Sequence, residues 1–214
     1  MTSYAGEPVL GPAAPPYDAV VLTGGRSSRL GGVPKPELRV GGRTMAERVL
    51  AAVRDADRSI VVGRPVRDVP VDLVTREEPP GGGPVAALAA GLVGVRAPTV
   101  AVLAADLPFL DAATVRDLRA ALAADPLAAA ALPVDAEGRD QPLCAVWRTG
   151  ALRVALAAVG GPAGVPVRAV VAAAPGPVLR LAGDREGPPP WFDCDTPADL
   201  AFAREWRPER EGWA

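Results

Sequence analysis

Four short runs of this chain are apolar and largely β-branched through their centres: residues 18–23 (DAVVLT), 59–63 (SIVVG), 71–75 (VDLVT) and 99–104 (TVAVLA). A strand that alternates apolar and polar residues can leave one face in water. These runs cannot, so each must be covered on both faces. Segments of helical period alternate with them at residues 44–53, 85–95, 112–123, 150–159 and 165–173, and Thr196-Pro197 opens a last helix. Residues 128–134 and 143–148 flank the polar turn DAEGRDQP and read as a strand pair, and residues 178–181 as a final strand. Strands that alternate with helices in this way predict one α/β domain, a mostly parallel sheet with helices on both faces. In such sheets ligands collect beyond the carboxyl ends of the strands.

The chain's 214 residues suit a single domain, expected over residues 18–206. Residues 1–17 are rich in Pro, Gly and Ala without period and read as a disordered tail, and the Arg/Glu-rich residues 207–214 as a frayed one. A net charge of −2 gives no basic field to draw nucleic acid. No apolar run approaches the ~18 residues of a membrane helix, and no basic-then-apolar leader is visible, so the expected location is cytoplasmic. The two cysteines, Cys144 and Cys194, form no disulfide framework or zinc spacing. Histidine is absent, which removes Ser-His-Asp and Cys-His catalysis and every His-ligated metal site. Chemistry is left to carboxylates, Lys, Arg, backbone amides or a hard metal held by oxygen.

Of 23 basic residues, 22 are Arg and one is Lys35. Where coding bias drives positive charge toward Arg, a surviving lysine points to a need for a compact ammonium. It ends the loop LTGGRSSRLGGVPK, which follows the first strand directly. Gly24 and Gly25 let the backbone turn tightly and bring N–H groups to an anion, while Arg26, Arg29 and Lys35 add positive charge. A triphosphate needs that combination. The loop has neither the G-K-[ST] of a Walker motif nor G-x-G-x-x-G.

Other segments are read beside this loop. Asp106, in ADLPFL just beyond a strand, suits Mg²⁺ held against phosphate oxygens, or a turn before Pro108. Asp193 and Asp195, two apart in FDCDTPADL, face one side of an extended segment. Either is a candidate second magnesium ligand, although helix-start chemistry at Thr196-Pro197 also explains the motif. The glycines of GGGPVAAL, before a helix, permit close approach of a base or ribose, and Glu77 or Glu78 could accept from a guanine edge. Arg139 and Gln141, in DAEGRDQPL, belong either to an ordinary turn or to the face met by a second substrate.

At these residues the chain resembles the MobA-like nucleotidyltransferases, and among them the molybdenum cofactor guanylyltransferases. The family pattern runs roughly L-A-G-G-x-x-x-R-M-G-G-x-D-K, P-G-x-G-P-L, D-x-P-F and N/D-x-[ND]-T-P-x-D-L. Here it reads LTGGRSSRLGGVPK, PGGGPV, ADLPFL and DCDTPADL, in order, over about residues 18–203. The resemblance implies a Rossmann-like three-layer domain of the nucleotide-diphospho-sugar transferase type. It implies transfer of GMP from GTP to the phosphate of molybdopterin, with Mg²⁺ and release of pyrophosphate. By motif position it places Leu22, Thr23, Gly24, Gly25 and Lys35 on the nucleotide, Asp106 on nucleotide and metal, and Gly63 and Glu77 on the nucleotide more remotely. Arg29, Lys35 and Asp106 are then the expected catalytic residues, and Asp106 and Asp195 the metal ligands. Such a role is compatible with transient contacts to cofactor-pathway or acceptor proteins. Two departures stand out: Thr23 replaces Ala, and Pro34 replaces the Asp before the lysine, which removes a carboxylate and a donor and fixes φ. The same fold with another nucleotide or acceptor (cytidylyl, sugar-phosphate or phospholactate), or a nucleotide-binding module without turnover, is the alternative.

Overall fold

A computed structural model describes residues 14–24, 32–182 and 187–206. Its centre is β1 (Tyr17–Leu22), flanked in parallel by β4 (Arg58–Val62) and β6 (Thr99–Ala104). The strand starts one residue before the expected residue 18, because Tyr17 already pairs with Thr99 and is buried. Beyond β4 lies β5 (Leu73–Thr75), also parallel. On the other side β8 (Cys144–Arg148) runs antiparallel to both β6 and β7 (Ala130–Val134), and β9 (Val178–Ala182) closes the sheet parallel to β7. The seven strands thus run β5-β4-β1-β6-β8-β7-β9. The sheet is mostly parallel and three-layered, as expected.

The apolar runs explain the layers. Ala19 and Val21 share one face with Val61, Ala101, Leu103 and Val146. That face packs on α1 (Met45–Ala52) and α3 (Ala112–Ala124) through Val49, Leu50, Val115, Leu118 and Leu122. The intervening residues Val20, Leu22, Ile60, Val62, Val100, Val102 and Trp147 point the other way. They meet α2 (Pro84–Leu92), α4 (Thr149–Ala158) and α5 (Val167–Ala172) through Leu88, Leu92, Leu152 and Val170. The period of two along each strand therefore feeds two separate cores.

Local signals hold at both helix starts that carried them. Thr44 accepts from Glu47 N–H and Glu47 returns the bond to Thr44 N–H; Thr196 and Asp199 repeat the arrangement at α6 (Pro197–Glu205). Unexpected from the sequence is a two-stranded hairpin, β2 (Arg39–Val40) and β3 (Arg43–Thr44). Its turn is Gly41-Gly42, both at positive φ (56° and 84°), the conformation a tight two-residue hairpin demands. Buried Arg48 holds it to α1 by donating to the carbonyls of Val40 and Gly41. A third, smaller core of Leu38, Val40, Met45, Phe109, Cys194, Leu200 and Ala203 then packs α6 against this hairpin.

The close seat of α2 on the sheet gives a test. A Cβ at Gly91 would lie 2.7 Å from methyls of both Val20 and Val62, inside a filled core. Overpacking costs about 1–3 kcal/mol, against a helix-propensity gain of about 1 kcal/mol for Gly→Ala. At Gly150, exposed in α4, a Cβ meets nothing within 4 Å. Gly91→Ala is therefore expected to lower the thermal midpoint by about 2–4 °C and Gly150→Ala to raise it by about 2 °C. Equal shifts in a calorimetric comparison would refute this packing.

Candidate active site

The carboxyl ends of β1, β4, β5 and β6 meet at one edge of the sheet, and a cavity of about 570 Å³ opens there. Leu22 and Gly24 leave β1 along one wall, and Glu77, Gly81, Gly83 and Pro84 form another ahead of α2. Ala104 and Asp106 extend β6 at the base, with Leu143 beside them. Lys35 stands at the side.

Three side chains from distant segments converge at this point. Lys35 Nζ lies 3.4 Å from Asp106 Oδ2 and also donates to Asp195 Oδ1. Each is placed by its own local device. Pro34, extended at φ −56° and ψ 127°, leads into the single 3-10 turn Lys35–Glu37, and buried Leu38 anchors that turn by accepting from Met45 N–H. Asp106 follows Ala105, whose N–H continues the ladder to Leu22 O. Asp195 is presented by the N-terminus of α6, where Asp199 accepts from the N–H groups of Asp195 and Thr196. The helix-start chemistry therefore belongs to Thr196, Pro197 and Asp199, and the Asp195 carboxylate is left to face Lys35. Cys194 N–H donates to Asp106 O at 3.3 Å and ties the two acidic segments together.

The electrostatics follow from this crowding. Burial pushes the Asp106 carboxyl above the usual range, although the Lys35 charge opposes it. Asp193 is raised too, by burial and then by the charges of Asp195 and Asp106. Burial alone would lower the Lys35 ammonium, but its bond to Asp195 and the charges of Asp106 and Asp195 together raise it above an ordinary lysine. Among the described residues two carboxylates, Asp106 and Asp195, thus contact one ammonium. The donors are hard oxygens, as Mg²⁺ prefers. Among the described residues no group of three or more acidic, Cys or His side chains is arranged to hold a metal. Asp106 and Asp195, which reach the same ammonium, are the two carboxylates whose hard oxygens could face one shared cation. Burial pushes the Cys194 thiol up to about 12, and its side chain packs in an apolar cluster with Leu38, Val40, Met45 and Phe109.

The other expected residues fall into place unevenly. Thr23 is buried, with its hydroxyl against the carbonyls of Val62 and Arg64 and its N–H on Val62 O, so its side chain shapes the wall from behind. Gly63, at φ +118°, lies beneath Gly24; a Cβ there would come within 2.8 Å of Gly24 N. Glu77, rather than exposed Glu78, lines the cavity, and one of its oxygens accepts from Gly81 N–H. Arg139 is exposed, and Gln141 donates to Asp135 and to Arg139 O, so this segment closes on itself as a turn. Gly25, Arg26 and Arg29 lie outside the described residues. Leu143 was not anticipated: it reaches the cavity because β8 enters the sheet antiparallel, at the edge where β6 ends, and Ala104 N–H bonds its carbonyl.

Among the described residues no helix is long and apolar enough to cross a membrane. A family model described as a MobA-like NTP transferase domain matches residues 19–178, from β1 to the start of β9. A molybdenum cofactor guanylyltransferase of Acidiphilium cryptum is 32% identical over 197 residues, covering 88% of this chain and 94% of its own. One of Burkholderia orbicola is 36% identical over 153 residues, 64% of this chain and 73% of its own. A solved 2-C-methyl-D-erythritol 4-phosphate cytidylyltransferase from Thermus thermophilus superposes with a TM-score of 0.62 at 27% identity, over 86% of this chain and 96% of that one. The chain belongs to the MobA-like NTP transferase family and is a nucleotidyltransferase.

Proposed function

We propose that this nucleotidyltransferase moves GMP from GTP to the phosphate of a molybdopterin-type cofactor in the cytoplasm, releasing pyrophosphate and forming a guanine dinucleotide. The catalytic domain in this reading runs from Tyr17, the first residue of β1, to Trp206. The observation that carries it is the convergence of Lys35, Asp106 and Asp195 at the mouth of the strand-end cavity. The guanylyltransferase relatives supply the nucleotide and acceptor.

The chemistry asks little of the protein beyond placement and charge. An oxygen of the acceptor phosphate bonds to the α-phosphorus of GTP, and the bond from that phosphorus to the β-bridging oxygen breaks. The nucleophile is already an anion, so no general base is required, in keeping with a chain that contains no histidine. Mg²⁺, held by Asp106 and Asp195, would supply positive charge against the triphosphate. Lys35 neutralises charge on the transferring phosphates, joined by Arg29 from the same loop. Glu77 accepts from the guanine edge with the carboxylate oxygen that Gly81 leaves free, and Gly81 and Gly83 let the base and ribose approach the backbone. The likeness to a cytidylyltransferase favours one competing reading, the same transfer with a cytosine nucleotide.

A thermal-shift screen of the four nucleoside triphosphates with Mg²⁺ decides between them. GTP at 100 times its dissociation constant is expected to stabilise by about 2.7 kcal/mol, with smaller effects from ATP and CTP at the same concentration. A CTP shift equal to or above that of GTP would overturn the guanine assignment. Asp106→Ala is expected to fold normally, since the residue lies two past the end of β6 and belongs to none of the three cores, and to lose at least about 10²-fold in pyrophosphate release; a retained rate would place the metal elsewhere.

Lys35→Arg separates charge from shape. Lys35 is largely buried between two carboxylates, where a planar guanidinium does not fit as an ammonium does. Small misplacements of reacting groups can cost about 10²-fold in rate. The variant is therefore expected to bind GTP within a few-fold of the parent while losing most turnover. Wild-type steady-state turnover would show that only the charge matters.

A further inference from the structure

Two carboxylates from opposite parts of the chain, Asp106 after β6 and Asp195 before α6, reach the same ammonium. An ion ligated by both must lie close to where Lys35 Nζ now lies. Two cations cannot share that space: the volume is taken, and their repulsion in a partly buried site is strong. We infer that Lys35 is the internal counter-ion of the nucleotide-free site and that a divalent metal displaces it, so that the ammonium is handed to the phosphates only when the metal arrives. The inference rests on the reading above that Asp106 and Asp195 take the metal.

The surrounding structure suits such an exchange. The carboxylates are held from behind, Asp106 through its carbonyl bond to Cys194 N–H and Asp195 through the capped start of α6. The lysine alone is mounted on a flexible four-carbon stem, at the first residue of a single 3-10 turn. Both carboxylates already converge on one cation, so an ion that takes the place of the ammonium meets two hard oxygen donors at once. Triphosphate oxygens, brought with the metal, give the released ammonium a new partner. Metal and nucleotide then bind cooperatively, because the displaced ammonium finds its new partner on the phosphates.

Mn²⁺ serves as the probe, its free concentration read by electron paramagnetic resonance on nucleotide-free protein. Lys35→Met, which keeps the stem and removes the charge, is expected to bind Mn²⁺ about tenfold more tightly than the parent, the effect of removing one competing charge from a partly buried site. Asp106→Asn in the same background should abolish the gain. Because Lys35 is the chain's only lysine, wild-type protein labelled with ¹⁵N at Nζ gives a single side-chain resonance. That resonance is expected to move when Mg²⁺ is added with a non-hydrolysable GTP analogue, and not with the analogue alone. Equal Mn²⁺ affinity in parent and Lys35→Met, or a lysine resonance unmoved at metal saturation, would overturn the exchange while leaving the metal site standing. Failure of Asp106→Asn to weaken Mn²⁺ binding would instead remove the metal reading beneath it, and the exchange with it.

Discussion

Every residue of β1 is buried, and both of its edges are occupied by parallel neighbours. A strand enclosed on two faces and two edges can present chemistry only at its ends. Because β4 and β6 are parallel to it, their carboxyl ends open at the same place, and Gly24, Gly63 and Asp106, just past the three strands, gather at one rim. The tightness of this arrangement shows in what it excludes. Gly91 lets α2 lie on Val20 and Val62, and Gly63 lets the end of β4 lie beneath Gly24, where no Cβ fits. The buried hydroxyl of Thr23 closes the same seam by bonding the end of β4. That hydroxyl works from behind the strand ends rather than facing into the cavity.

The parts legible in the sequence are those determined by near neighbours. The strands showed as apolar runs because burial on both faces leaves no polar alternation. The starts of α1 and α6 showed because a capping box is completed within four residues. Helix ends were less legible: α5 covers six residues, not the nine of its apolar pattern, because Pro166 opens it and the chain turns off after Ala172. The Gly41-Gly42 turn was a readable hairpin signal that two-residue strands made easy to overlook. The insertion of β8 between β6 and β7 had no local signature, since strand order depends on which edges remain open once the sheet assembles. Leu143 reached the cavity by that route. The pairing of Lys35 with Asp195 was beyond any spacing rule, at a separation of 160 residues. What the sequence did offer was the type of each residue, the lone ammonium and the acidic pair, but not their meeting.

That meeting depends on the third core. The two large clusters reach the strand ends through Leu22, Ala105 and Leu107, but the residues packed around the Asp195 segment, Cys194, Leu200 and Ala203, belong to the small one. Leu38 and Met45 come from the phosphate-loop side, Phe109 from just beyond Asp106, and Cys194, Leu200 and Ala203 from the C-terminal segment. Phe109, Phe192 and Phe202 add ring contacts at centroid distances of 5.4–6.3 Å. The same few side chains thus hold the three segments that carry Lys35, Asp106 and Asp195. Mutations in this cluster would act on chemistry through geometry, because a carboxylate held by a helix start moves with the helix. The two large cores can be thought of as building the sheet, and the small one as aligning what the sheet presents.

Pro34 can be understood in this light. Replacing an acidic residue with proline beside the one lysine removes a local counter-charge and a backbone donor. It also restricts the chain to an extended approach, observed at φ −56° and ψ 127°, from which the 3-10 turn begins at once. The turn delivers Lys35 to Asp106 and Asp195, so counter-charge comes from across the fold rather than from the adjacent residue. A partner adjacent in sequence would travel with the lysine wherever the loop went. Partners just past β6 and just ahead of α6 do not move with it, and they make the position of the ammonium a property of the folded domain. Pro34 is therefore compatible with a formed Lys35–Asp106–Asp195 cluster, because the counter-charges of the ammonium are set by the tertiary fold.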